Sequence, residues 1–205
     1  MNNTKERKVM IATPCHDHKL PVEYVGALLD TMRAGLALTI APVFLPGESI
    51  LPHARNALAK IFLDSDFDTL IYIDADMVWA PEQFAKIVFS ENPVISGIAH
   101  LKRDNSPFNF RILPGEKPTE EGLLSVESIG CAFMKLDRKA VEAVSKASST
   151  YIMHNTAYSN IFEYSMDKDE FVGEDLTFCR KLRKKKYKIL ADMSVVIGHI
   201  GSKIY

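Results

Sequence analysis

Two aspartates, Asp74 and Asp76, follow the apolar run Leu70–Ile73 and are one residue apart. In an extended strand, residues i and i+2 point to the same face, so this spacing predicts two neighbouring carboxylates. Such carboxylates repel each other unless a cation lies between them. Carboxylate oxygens are the ligands that Mg²⁺ and Mn²⁺ prefer, usually together with phosphate oxygens. The alternative is a solvated turn in which one aspartate caps a helix that starts near Pro81.

A second acidic pair, Glu174 and Asp175, opens the helix predicted over residues 173–186. Carboxylates in a first turn are stabilised by the helix dipole, which is a sufficient structural explanation. The functional interpretation is a general base, because a carboxylate beside an acceptor hydroxyl can take its proton during group transfer. Both interpretations stay open on the sequence alone.

Three further residues could contribute to a site built around these carboxylates. His199 ends the last apolar run, between Gly198 and the pair Ile200–Gly201. An imidazole there is either structural or completes a metal site. Arg55 and Asn56 lie one turn into an amphipathic helix. The arginine is either a solvated helix flank or a group that meets phosphate or orients a metal-binding aspartate.

The stretch SIGCAFMKL brings Gly130 and Cys131 to the mouth of a predicted strand. The glycine indicates a bulge or a tight bend. Cys131 has no base near it in sequence, so we do not interpret it as a nucleophile.

The elements that must position these residues alternate between strands and helices. Strands are predicted over residues 9–12, 38–45, 70–73, 94–98 and 129–136, with 187–190 and 195–197 closing the sheet. Helices are predicted over residues 22–36, 54–62, 137–147 and 173–186, and from Pro81 onward. This alternation predicts an α/β fold with a mostly parallel sheet covered on both faces. Residues 101–120 and 150–170 lack periodicity, and we expect them to form the acceptor side of a site.

Composition narrows the class of protein. The 205 residues are 47% hydrophobic and 25% charged, which predicts one globular domain over residues 1–205. The net charge of −1 gives no global attraction to nucleic acid, and the basic run 180–188 fits a solvated helix end. Three widely spaced cysteines, and no apolar stretch typical of a signal peptide or membrane anchor, predict a cytoplasmic protein. The sequence contains no P-loop, no G-x-G-x-x-G after the first strand and no G-x-S-x-G elbow.

Taken together and in order, six motifs resemble the GT-A type of glycosyltransferase, and in particular its small bacteriophage and large-DNA-virus members. They are IATPC, ARNALAK, YIDADM, SIGCAFMKL, GEDLTFCRKL and VIGHIG, within residues 8–201. The resemblance implies metal-dependent transfer of a sugar from a UDP- or GDP-sugar to a glycan or another hydroxyl acceptor. It implies Mn²⁺ or Mg²⁺ as cofactor. Residues 8–100 would form the nucleotide-sugar half and residues 101–201 the acceptor half.

The resemblance also implies roles for individual residues. Asp76 would be a direct metal ligand, Asp74 would touch the ribose or the metal, and His199 would match a late metal-binding histidine. Asp175 would match an acidic residue near the acceptor, with Glu174 as the second catalytic candidate. The predicted substrate-binding residues are Thr13, Pro14, Arg55, Asn56, Asp74, Gly130 and Cys131, of which Thr13 and Pro14 would border the nucleoside. No long extension follows His199, so an acceptor-binding tail is not expected and acceptor choice stays open.

Two other functions are compatible with strand-end carboxylates. A nucleotidyltransferase would make a nucleotide-sugar, but such enzymes usually carry a glycine-rich basic loop where this chain has TPCHDHKLP. A non-catalytic module would bind a sugar or nucleotide without turnover.

Overall fold

In the computed structural model, which describes residues 6–103 and 106–204, strands and helices alternate through the first half of the chain. The helices of the described residues are α1 (Val22–Arg33), α2 (Leu51–Leu63), α3 (Pro81–Phe89), α4 (Arg138–Ser145) and α5 (Glu174–Lys184). The strands are β1 (Arg7–Cys15), β2 (Leu38–Pro46), β3 (Thr69–Ile73), β4 (Met77–Val78), β5 (Val94–Ala99), β6 (Phe110–Ile112), β7 (Leu123–Ile129), β8 (Phe133–Asp137), β9 (Thr150–Met153), β10 (Thr156–Ser159), β11 (Ser165–Asp167), β12 (Glu170–Val172) and β13 (Leu190–His199).

One large sheet has the strand order β2-β1-β3-β8-β5-β13-β7-β6, and β4 pairs with β13 at its end. Strands β1, β2 and β3 pair in parallel, as do β5 and β13. Strand β8 lies between β3 and β5 and is antiparallel to both, and β7 is antiparallel to β13. The predicted α/β class is therefore confirmed. Of the eight strands in this order, six run in the same direction, and β8 and β7 are reversed.

Apolar side chains cover both faces of the sheet, which explains the continuous hydrophobic run in β1. Met10 and Ala12 pack into one core cluster, which includes residues of α2, α4 and α5. Val9 and Ile11 pack into a second cluster with residues of α1 and α3. Alternate residues of a strand point to opposite faces, so burial on both faces requires every position to be apolar. No helix in the described part of the chain is long and apolar enough to cross a membrane.

The strand predicted over residues 129–136 is wrong as a single element. Strand β7 ends at Ile129, residues 130–132 turn, and β8 begins at Phe133 in a different part of the sheet. Cys131 and Ala132 in the turn are buried. The hydrophobic pattern therefore continues through the turn, and only Gly130 marks it.

The end of the chain also differs from the prediction. The two predicted pieces, 187–190 and 195–197, belong mostly to one strand, β13, whose pairing with β5 shifts register between Asp192 and Val196. β13 lies inside the sheet, between β5 and β7. The aperiodic residues 150–170 contribute to two small antiparallel pairs, β9–β10 and β11–β12.

Candidate functional site

The two aspartates lie in a turn rather than on a strand face. Strand β3 ends at Ile73, and the backbone N–H of Met77 donates to the carbonyl of Asp74 at 3.1 Å. The predicted strand conformation over both aspartates is therefore wrong. The turn directs the two carboxylates to different partners, Asp74 toward Arg55 and Asp76 toward His199.

Arg55 joins three carboxylates from separate elements. Its Nη2 donates to both carboxylate oxygens of Asp74 at 3.0 Å. Its Nη1 donates to Glu174 Oε1 at 2.7 Å and to Asp175 Oδ1 at 2.6 Å. The guanidinium thus connects α2, the turn after β3 and the first turn of α5. We call these four residues, Arg55, Asp74, Glu174 and Asp175, the Arg55 cluster.

Burial sets the electrostatics of the Arg55 cluster. Arg55 is 1% exposed, so the solvated helix flank considered from the sequence is wrong. Burial raises the pKa of Asp74 and that of Glu174, because the charged carboxylate loses its water, although Arg55 opposes both shifts. Burial alone would lower the pKa of Arg55, but Asp74 and Asp175 raise it well above its ordinary value. The arginine therefore stays charged while three carboxylates share it.

Asp76 has a more exposed environment. Strand β4 pairs with the end of β13 and brings His199 opposite Met77. His199 Nε2 lies 3.4 Å from Asp76 Oδ2, and the ammonium of Lys102 forms an ion pair with the same oxygen. The close pairing depends on Gly198, since a Cβ there would lie 2.6 Å from a methyl of Val78. We call Asp76, Lys102 and His199 the Asp76 cluster.

The hydrogen bonds of His199 suit a ligand for a cation. Its Nδ1 lies 2.8 Å from the carbonyl oxygen of His100, which can only accept, so Nδ1 carries a proton. In the neutral ring Nε2 then presents a lone pair to a carboxylate, and a cation between them would satisfy both groups. Two donor atoms held about 2.1 Å from one ion lie about 3.0–3.4 Å apart, close to the separation observed here.

The protein supplies few ligands at this point. Within residues 6–103 and 106–204 there is no group of three or more His, Cys, Asp or Glu side chains that could hold a metal ion. Asp76 and His199 together offer two donors, and Asp74 turns both oxygens toward Arg55. Mg²⁺ and similar ions are often bound in this way, by one or two protein groups plus substrate phosphates and water.

A cavity of about 670 Å³ adjoins both aspartates. Its lining includes Pro14, His16, Glu48, Asp74 and Asp76. This volume lies in the range of about 300–1,000 Å³ typical of small-molecule sites. We call it the first cavity.

A second cavity, of about 340 Å³, adjoins the other end of the Arg55 cluster. It is lined by Asp175 together with Phe108, Asn109, Phe110, Arg111 and Gly130, among others. Asp74 and Asp175 both bond to Arg55, so one guanidinium links a carboxylate in the wall of the first cavity to a carboxylate in the wall of the second.

Several predicted substrate-binding residues have side chains occupied elsewhere. Thr13 is fully buried, and its hydroxyl bonds to the Tyr24 hydroxyl at 2.6 Å. Cys131 is fully buried and its pKa is raised well above the ordinary value by that burial, which agrees with the expectation that it is no nucleophile. Asn56 uses its side-chain amide to bond both the N–H and the carbonyl of Phe162, at 2.8 and 2.9 Å.

Two residues of this site were missed from the sequence. Lys102 contacts Asp76, and Asn109 lines the second cavity. Both lie in the turn-rich stretch after β5, where neither periodicity nor a motif distinguishes one polar residue from the next. The general expectation that residues 101–120 contribute to the acceptor side was the only available signal.

Comparisons with known proteins bear on the fold. No protein-family profile matches the sequence, and no curated protein matches it. The crystal structure of A197 from STIV has a TM-score of 0.61 and 19% identity, covering 95% of this chain and 86% of that one. The crystal structure of GalNAc-T7 with UDP, GalNAc and Mn²⁺ has a TM-score of 0.57 and 13% identity, covering 98% of this chain. The present chain spans 45% of the GalNAc-T7 chain.

These similarities establish an α/β fold like that of GT-A glycosyltransferases. The UTP-bound UGPase from Acinetobacter baumannii also matches, at a TM-score of 0.41, which is too low to carry an argument for a nucleotidyltransferase.

Proposed function

We propose that this chain is a metal-dependent glycosyltransferase, which moves a sugar from a nucleoside diphosphate sugar to a hydroxyl acceptor. The observation that carries the proposal is that Arg55 links Asp74, in the wall of the first cavity, to Asp175, in the wall of the second. Group transfer needs a donor and an acceptor side by side, with a base at the acceptor. The GT-A-like fold supports the same conclusion.

The first cavity would hold the nucleotide-sugar donor. Pro14, which lines the first cavity, would border the nucleoside, whereas Thr13 is fully buried and bonded to Tyr24 and would act only by holding Pro14 in place. Asp76 and His199 would hold Mn²⁺ or Mg²⁺ on the diphosphate, where the ion would neutralise charge on the leaving group as a Lewis acid. Asp74, which lines the first cavity and is held by Arg55, would contact the ribose.

At the metal site, the chain's own groups have separate tasks. His100 orients the His199 ring through its carbonyl, which keeps the Nε2 lone pair toward Asp76. Lys102 is a cation already at Asp76, and it would have to leave that oxygen or share it with an incoming ion.

Asp175 is the better candidate for the general base. It lines the second cavity, while Glu174 is only 9% exposed. A base must come within hydrogen-bond reach of the hydroxyl whose proton it takes. Arg55 binds one oxygen of Asp175 and so fixes the direction of the carboxylate. Glu174 would complete the charge around Arg55.

The proposal is tested by incubating the protein with UDP-glucose, UDP-galactose, UDP-N-acetylglucosamine, UDP-N-acetylgalactosamine or GDP-mannose, with and without Mn²⁺. Release of nucleoside diphosphate that requires the metal is expected. Release of pyrophosphate from a nucleoside triphosphate plus a sugar phosphate would instead identify a nucleotidyltransferase. Tight binding of a nucleotide-sugar without any turnover would identify a binding module.

A variant pair sharpens this assay. Asp76→Asn should abolish metal-dependent release while the protein stays folded, since loss of a metal ligand costs several kcal/mol of transition-state stabilisation. Asp167→Asn is the matched control, because its side chain is 52% exposed and pairs with Arg180. Unchanged metal dependence in Asp76→Asn would contradict the proposed metal site.

A further inference from the structure

We propose that the second cavity is a saccharide subsite, in which Asn109 and Asp175 hold the acceptor hydroxyl in a space left open by Gly130. This inference rests on the proposed transfer function and names the class of acceptor that the function leaves open. The inference is based on a hydrogen-bond donor, Asn109 Nδ2, and a hydrogen-bond acceptor, Asp175 Oδ2, which both lie near Gly130. Aromatic rings lie in the wall of the same cavity.

Gly130 creates the space for the hydroxyl. A Cβ built on this residue would lie 3.0 Å from Asn109 Nδ2 and 3.6 Å from Asp175 Oδ2. Any side chain would therefore fill the region that both polar atoms border. A sugar hydroxyl in that region would accept from the amide and donate to the carboxylate, which is the arrangement that a base needs to remove the proton.

Asn109 is held in one orientation. Its Oδ1 accepts from the N–H of Ala99 at 3.1 Å, and its own N–H donates to the Ala99 carbonyl at 3.0 Å. Its carbonyl accepts from the N–H of Gly130 at 2.9 Å. Because Oδ1 faces a donor, Nδ2 must be the side-chain atom that lies beside Gly130. Nδ2 has no hydrogen-bond partner within the described residues, so it is available to a ligand.

The remaining wall of the second cavity fits a sugar ring. The Phe108 and Phe110 rings are stacked, with centroids 6.0 Å apart and planes 8° from parallel. His100 packs on Phe108 with centroids 4.2 Å apart, and both phenyl rings remain partly exposed. Aromatic faces carry partial negative charge and attract the polarised C–H groups of a pyranose. Arg111 is exposed at the same cavity and can donate to several hydroxyls. Apolar faces combined with convergent polar groups match the amphipathic surface of a saccharide.

Binding alone tests the subsite. The probes are the methyl α- and β-glycosides of glucose, galactose, mannose, N-acetylglucosamine and N-acetylgalactosamine, observed by saturation-transfer difference NMR on the full chain. At least one of them should bind the wild-type protein. Asn109→Asp keeps the bond to Ala99 but replaces the free donor with an acceptor, and should weaken binding at least tenfold. Gly130→Ala should do the same by filling the space.

Controls separate this outcome from misfolding. Ile112→Ala changes an exposed residue of β6, next to Arg111 but outside the cavity lining, and should bind like the wild type. Thermal unfolding of each variant identifies any loss of fold. If Gly130→Ala does not fold, the binding test rests on Asn109→Asp. Equal glycoside binding in wild type and Asn109→Asp, or no binding of any glycoside to the wild type, would overturn the saccharide subsite.

Turnover distinguishes failure of this inference from failure of the transfer function. With the active donor at saturation, the glycoside that binds should stimulate release of nucleoside diphosphate. Asn109→Asp should raise the glycoside concentration for half-maximal stimulation at least tenfold, while the KM for the donor stays within about twofold. If serine or threonine peptides stimulate donor turnover and glycosides do not, the saccharide assignment is wrong and the transfer function is still supported.

Discussion

Asp74 and Asp76 are neighbours in one turn, yet the clusters that they enter are built differently. The Arg55 cluster is centred on a buried guanidinium, 2% exposed, which makes four hydrogen bonds to three carboxylates whose side chains are 12–33% exposed. The Asp76 cluster has no buried charge at its centre: its cation, Lys102, is 40% exposed, and Asp76 and His199 are 37% and 19% exposed. One D-x-D string therefore supplies one residue to a fixed framework and another to a site where ligands can exchange.

The difference suggests a division of tasks. Breaking a buried ion pair leaves an uncompensated charge and destabilises the fold, whereas an exposed pair contributes little to stability. Loss of the Arg55 guanidinium should therefore affect folding and the geometry of both cavities. Changes in the Asp76 cluster should affect the metal requirement and leave folding nearly intact.

The largest expected effect is on the stability of Arg55→Ala. This change leaves Asp74, Glu174 and Asp175 without their shared cation, and should lower the free energy of unfolding by about 3–5 kcal/mol. Urea unfolding followed by circular dichroism measures it. The control is Arg180→Ala, whose side chain is 39% exposed and pairs with Asp167, and which should cost about 1 kcal/mol or less. Similar losses in both variants would remove the distinction between a buried framework and an exposed pair.

The next effect is on the turnover of Asp175→Asn. An amide cannot take the proton of an acceptor hydroxyl, so turnover should fall about 10²- to 10⁴-fold. The KM for the donor should change little, because a base acts in the transition state. Steady-state release of nucleoside diphosphate with the active acceptor measures both. Loss of donor affinity with an unchanged turnover number would make Asp175 a binding residue or a helix cap, and Glu174 would become the better candidate.

A smaller effect is expected at His199. Loss of a residue that only hydrogen-bonds to a metal ligand already lowers metal affinity about 10- to 100-fold. Loss of a ligand itself, in His199→Ala, should therefore raise the Mn²⁺ concentration for half-maximal activity at least tenfold. The free energy of unfolding should stay close to that of the wild type. Titration of Mn²⁺ at saturating donor measures the requirement. An unchanged Mn²⁺ requirement would return His199 to a purely structural role at the β4–β13 pair.

Local pattern predicted most of this framework but not its long-range pairings. Strands β1, β2, β3 and β5 and the five helices follow from apolar periodicity, and the candidate residues Arg55, Asp74 and Asp175 do meet. The reversed strand β8 was not foreseen, because buried apolar residues continue through the turn at 130–132. The burial of Arg55 could not be predicted from local sequence either, because it depends on carboxylates that are 19 to 120 residues away in the chain.

The smallest effect is the pH dependence of stability that Glu174 imposes. Its pKa is raised, first by burial and then by the Asp175 charge, so the folded state binds its proton more tightly than the unfolded state does. The slope of the unfolding free energy against pH is proportional to the number of protons bound in the unfolded state minus the number bound in the folded state. That difference is negative between the ordinary carboxyl pKa of about 4 and the raised value, so Glu174 makes stability fall as pH rises through this window. Glutamine cannot titrate and keeps an oxygen that can accept from Arg55. The free energy of unfolding of Glu174→Gln should therefore fall less steeply with rising pH than that of the wild type, and parallel curves would show that Glu174 ionises equally in both states.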